Sequence, residues 1–163
     1  MAEPAAKQDE LPATPVERVR AIVERIVDAL ELDAGVEVEE DDEAITARVE
    51  GEDLGLLIGR RGQTIDAVQL LCYRAAFRGM RERKRVIVDA AGYRERRREA
   101  LERQADQVAD RALRNNRAAE LEPMSAQDRR VVHNHLKDRA GLETYSEGEE
   151  PERRVIVAPL VSE

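Results

Sequence analysis

Val16, Val19, Ile22, Val23, Ile26, Val27 and Leu30 recur at steps of three and four, the spacing of one face of an α-helix. Just before them, Thr14 stands at an N-cap position, Pro15 at the first helical position and Glu17 where a reciprocal capping carboxylate belongs. These signals predict a helix from Pro15 to Leu32. The pattern then changes period. In "VEVEEDDEAITARVE" the apolar residues alternate on both sides of Asp41-Asp42, putting Val36, Val38, Ile45, Ala47 and Val49 on one face of a β-hairpin. "EDLGLLIG" leaves room for two helical turns at most. Ile65, Val68, Leu71, Cys72 and Ala75 mark a further helix ending near Gly79, and "KRVIVDAAG" over 84–92 reads as a strand. The order predicted for this half is α-β-β-α-α-β.

The second half repeats the alternation of periods. Leu101, Ala105, Val108, Ala112 and Leu113 form the stripe of a helix whose other face alternates charge, with Glu99–Arg103 and Asp110–Arg114 spaced for i,i+4 pairing. "RAAELEPM" offers a short strand closed by Pro123. Ser125 and Asp128 give a second capping signal for a helix stopped at Gly141, and "LETYSEGEEPERRVIVAPL" reads as two strands about the turn Glu147–Pro151. The prediction here is α-β-α-β-β. The chain is therefore expected to be α+β, with a disordered acidic tail over 1–13, one small domain over 14–92 and another over 93–163.

Charge qualifies this picture. The net charge is −8, which argues against a polyanionic partner, but it is unevenly distributed. Residues 1–54 hold 5 Lys/Arg against 17 Asp/Glu, residues 55–117 hold 16 against 8, and residues 118–163 hold 6 against 10. A basic block lies between acidic ones, and a polyanion responds to the local field. No apolar run approaches the roughly 18 residues of a membrane span, and the N-terminus lacks the basic start and apolar core of a secretory signal. The single Cys72 has no internal disulfide partner and lies in an apolar run. Together these features imply a cytoplasmic protein.

The basic block opens on "LLIGRRGQTID" over 56–66. Glycines at 59 and 62 let the backbone approach whatever lies over it, because no Cβ intrudes. The N–H groups of the following helix, from about Gly62 through Gln63 to Ile65, present a positive dipole end, and Arg60 and Arg61 add charge at the same spot. Phosphate suits all three features. A Walker-type loop is excluded by the missing Gly-Lys-Ser/Thr ending. Tyr73, Phe77, Tyr93 and Tyr145 are the only aromatics, so base stacking contributes little, and Ile58 and Ile65 are expected to line the base side. The acidic cluster Glu39–Glu43 lies at a turn without ligand spacing. His133 and His135 fall on opposite sides of one helix and cannot share a metal. No nucleophile stands with a base. No catalytic residue, metal or cofactor is expected.

"LGLLIGRRGQTIDAVQLL", in its α-β-β-α-α-β context, resembles a type II KH domain, whose Gly-x-x-Gly loop clamps about four single-stranded nucleotides. The segment "ELEPMSAQDRRVVHNHLKDRAGLETYSEGEEPERRVIV" resembles the Arg-x-x-x-His domain, a single-stranded nucleic-acid module, its signature falling on Arg129 and His133. KH followed by Arg-x-x-x-His is the arrangement of the bacterial Jag family, also called KhpB or EloR. The resemblance covers about residues 16–160. It implies a non-enzymatic RNA-binding regulator linked to cell elongation, cell shape and envelope synthesis, acting after transcription. It also implies pairing with a KhpA-like single-KH protein, or self-association, and association with the SpoIIIJ membrane insertase. Many members carry a further N-terminal Jag domain and a long linker where this sequence shows a short acidic Pro/Ala tail, a departure that puts roles tied to that domain in doubt. The site residues it implies are Ile58, Gly59, Arg60, Arg61, Gly62, Gln63, Ile65, Arg129 and His133, with Arg129 a forked phosphate donor and His133 a donor whose charge rises below about pH 6.5. A second reading is a scaffold associated with the membrane-insertion or cell-wall machinery, its basic block binding acidic protein surfaces. Salt-sensitive binding to single-stranded RNA but not to duplex separates the two.

Overall fold

The structure, a computed structural model, describes residues 12–160, so most of the tail expected over 1–13 lies outside the described residues. The chain divides between Tyr93 and Arg94 into two compact units, each α+β.

In the first unit, helix α1 (Pro15–Ala29) starts with the full reciprocal cap: Thr14 Oγ1 accepts from the Glu17 amide, and Glu17 accepts from the Thr14 amide. It ends three residues before the expected Leu32, at a cap on Leu30. Val19, Val23 and Val27, four residues apart, are its buried positions. Strands β1 (Ala34–Glu40) and β2 (Ala44–Gly51) form the expected hairpin, with Val36 opposite Val49, Val38 opposite Ala47 and Glu40 opposite Ile45. Helices α2 (Gly55–Ile58) and α3 (Gln63–Ala76) cross to strand β3 (Arg85–Ala90), which pairs parallel to β2 in a sheet ordered β1-β2-β3. Burial corrects the sequence reading of α3. Its core positions are Ile65, Val68, Cys72 and Ala76, while Leu71 is exposed and Ala75 half-buried. The Arg18 guanidinium donates to the carbonyl of Ala76 at 3.1 Å, closing the C-terminal end of α3 with a cation where the dipole favours one.

The second unit is built on helix α4 (Tyr93–Asn115), with the two-residue strand β4 (Ala119–Glu120), helix α5 (Ala126–Leu136), and strands β5 (Leu142–Glu147) and β6 (Arg154–Pro159). The sheet order is β4-β6-β5, antiparallel throughout. Leu101, Ala105, Ala109 and Ala112 of α4 pack with Val132, Leu136, Leu142, Val155 and Val157. Leu113, expected in that stripe, is exposed, and Ala109 takes the inward position. Glu99 and Arg103 pair at 3.8 Å as spaced, whereas Asp110 pairs with Arg139 across the unit. Helix α5 ends at Leu136, ahead of the stop expected at Gly141.

Candidate nucleic-acid interface

The segment from Gly59 to Gly62 is a single 3₁₀ turn between α2 and α3. Both glycines have positive φ, 73° and 78°, and both are sterically required. A Cβ on Gly59 would lie 2.1 Å from Thr64 Oγ1, and one on Gly62 would lie 2.8 Å from Cε1 of Tyr93. Thr64 and Tyr93 thus seat the loop from below, a role that no spacing rule flagged in the sequence. Arg61 holds a left-handed conformation, φ 53° and ψ 28°, unusual for a residue with a side chain. Arg60 and Arg61 are exposed. Helix α3 begins at Gly62 with no side chain capping its first amides, so its N-terminal N–H groups and two arginines share one surface.

Gln63 is exposed beside the arginines, and Ile58 is half-buried against the core. Ile65 is different. It is 0% exposed, packed among the core residues of the first unit, and has no surface to offer a base. The expectation that it lines the groove is corrected, because it begins the buried row that Val68 and Cys72 continue.

Arg129 and His133 do share a face of α5, but each is already engaged. Arg129 is 8% exposed: one terminal nitrogen donates to the carbonyl of Met124 at 2.7 Å, and the other meets Glu150 Oε1 at 2.7 Å. The forked donor expected on the surface is therefore a buried cation with an acidic partner. His133 Nδ1 lies 2.8 Å from Thr144 Oγ1, and Nε2 lies 3.0 Å from Ser146 Oγ. Burial, with help from the charge of Arg129, pushes its pKa below the ordinary 6.5. Thr144 and Ser146 were missed as partners, although alternation in "LETYSE" places them inward with Leu142. His135 faces away from this site, bonding Asp106 at 3.0 Å. The start of α5 is fixed by Ser125, whose Oγ accepts from the Asp128 amide at 3.2 Å, and by Arg97, which donates to Asp128 Oδ2 at 2.7 Å.

Among the described residues no group of three or more His, Cys, Asp or Glu side chains is placed to hold a metal, and no helix is long and apolar enough to cross a membrane. Burial pushes the Cys72 thiol up to about 12, away from thiolate chemistry.

Residues 16–89 match the family described as "KhpA/KhpB, KH domain", and residues 99–159 match the family described as "R-3-H domain", the Arg-x-x-x-His module. The fold and these matches define a KH unit followed by an Arg-x-x-x-His unit. The chain is 38% identical over 138 residues to an RNA-binding protein KhpB of Clostridium symbiosum, covering 83% of this chain and 62% of that protein. To the protein of the same name from Bacillus subtilis (strain 168) it is 33% identical over 146 residues, covering 88% and 70%. To that from Lactiplantibacillus plantarum it is 31% identical over 167 residues, covering 94% and 52%. The chain belongs to the KhpB family, and it spans roughly half to two thirds of the length of these three relatives.

Proposed function

We propose that this protein binds single-stranded RNA without chemical turnover, with the Gly59–Gly62 loop as the principal clamp. The observation that carries the reading is the loop itself. Two glycines that admit no Cβ, two exposed arginines and an uncapped helix start occupy one surface, and each favours the backbone of a nucleic acid. The relatives' name, RNA-binding protein KhpB, supports the same chemistry. The face carrying Arg129 and His133 adds a second contact. Such a protein acts in the cytoplasm as a post-transcriptional regulator, its family resemblance connecting it to cell elongation, cell shape and envelope synthesis.

The test replaces Arg60 and Arg61 together with Asp. Exposed loop substitutions of this kind change stability by less than about 0.5 kcal/mol, so the thermal midpoint holds. Affinity for single-stranded RNA falls at least about tenfold, or roughly 1.4 kcal/mol. A folded double variant that binds as well as the parent removes the loop from the site.

Pairing of the KH unit with a KhpA-like single-KH protein or with a second copy has support from α3, where Leu70 and Leu71 are 55% and 58% exposed side by side. Leu71→Asp leaves the core intact and shifts any such complex toward monomer in light scattering. An unchanged mass distribution for a protein that does self-associate takes the contact away from this helix face.

A further inference from the structure

Arg129 and Glu150 form a lopsided pair. The arginine is held by the fold: its side chain is nine-tenths buried on α5, with Met124 accepting from one nitrogen. Glu150 is 58% exposed and stands in the turn between β5 and β6. A buried guanidinium favours an anionic acceptor, because leaving it unpaired exposes the cost of its desolvation. A mostly hydrated carboxylate loses little by returning to water. Phosphate and carboxylate oxygens ask the same of a guanidinium, namely charge-assisted N–H donation along its fork.

We propose that Glu150 is an internal anion holding the place of an RNA phosphate, so that binding at Arg129 is an exchange. The Glu150 carboxylate swings out to solvent as a backbone phosphate comes in, and no bond other than hydrogen bonds is made or broken. This rests on Arg129 being a phosphate ligand, as proposed above. The exchange accounts for a cation that matches a nucleic-acid signature and yet is already satisfied. It also gives the turn a purpose. Glu147, Glu149, Glu150 and Glu152 crowd it with carboxylates, of which Glu150 is the one in contact with Arg129. A resident competitor lowers apparent affinity by the fraction of time the site is free.

The experiment measures binding of a fluorescein-labelled oligouridine to the full chain by anisotropy at fixed salt, with thermal melts to confirm folding. Glu150→Gln and Glu150→Asp are compared with Glu149→Gln. The Asp variant keeps net charge while shortening the reach, and Glu149→Gln removes one charge from the same turn without touching Arg129. Freeing the site multiplies affinity by the reciprocal of its free fraction, so both Glu150 variants bind at least about threefold tighter than Glu149→Gln. In an Arg129→Lys background that gain shrinks, because the guanidinium nitrogen both anions compete for is gone. Glu150 variants that bind no tighter than Glu149→Gln, while Arg129→Lys weakens binding, overturn the exchange and leave Arg129 as a ligand. If Arg129→Lys and Arg129→Ala both fold and bind like the parent, the reading of Arg129 as a ligand falls, and the exchange falls with it.

Discussion

His133 lies between two hydroxyls and one fixed cation, and that arrangement sets its behaviour with pH. Thr144 and Ser146 can each donate or accept, so the ring keeps both bonds in either neutral tautomer and also when protonated. Hydrogen bonding therefore does not oppose the charged form. Burial does, and Arg129 adds repulsion, so the folded pKa lies below 6.5. In the unfolded chain the imidazole titrates near 6.5, so between the two values the unfolded state binds more protons and stability rises with pH. The contribution from a neutral His133 is complete above about pH 6.5 and is lost as pH falls through 6.5 toward the folded value. The thermal midpoint of the parent should drop between pH 7.5 and 5.5 by more than that of His133→Gln. Equal drops would mean that His133 is not the group responsible. The charge that His133 would offer a phosphate therefore rises only at pH below the ordinary 6.5.

At the scale of elements, the second unit depends on how α5 is tied to α4. Asp128 is read from the sequence as a first-turn acid, and it does lie beside its cap. Its carboxylate also accepts from two nitrogens of Arg97, at 2.7 and 3.1 Å, with both side chains largely buried. Removing one member of such a pair strands the other, a loss on the order of 3 kcal/mol, so Asp128→Ala should be among the most destabilising polar substitutions in the chain. Glu99→Gln, at an exposed pair on the same helix, should cost no more than about 0.5 kcal/mol. Urea midpoints decide, and a mild Asp128→Ala would show that the strut is incidental. The element order and both N-caps were legible because period and capping chemistry are local. The inward face of α3 was only half legible: Leu71 and Cys72 are adjacent, either continues the row from Ile65 and Val68, and the sheet selects Cys72. For the same reason Ile65 could not be separated from the loop that precedes it. The burial of Arg129 was not legible at all, since its partner Glu150 belongs to a turn between two other elements.

For the whole molecule, the proposed function raises the question of how a chain of net charge −8 would hold a polyanion. The basic block over 55–117 supplies the field, but many of its cations are already matched. Arg97 pairs with Asp128, Arg98 with Glu95 and Glu102, and Arg103 with Glu99, all within the second unit. The loop arginines are exposed beside an uncapped helix start. Phosphate neutralisation should therefore be modest in number and concentrated at the loop. Each phosphate contacted on a single strand contributes about −0.7 to the slope of log affinity against log salt, so three to six contacts give a slope between about −2 and −4. The internal matching along α4 puts the value toward the shallow end. Replacing Arg60 and Arg61 with Asp should flatten that slope as well as weaken binding, since the counterions released at the loop would no longer be released. A parent slope near zero would sink the phosphate clamp and favour a scaffold that meets acidic protein surfaces. A parent slope in range that the loop variant leaves unchanged would move the phosphate contacts to other arginines of the block.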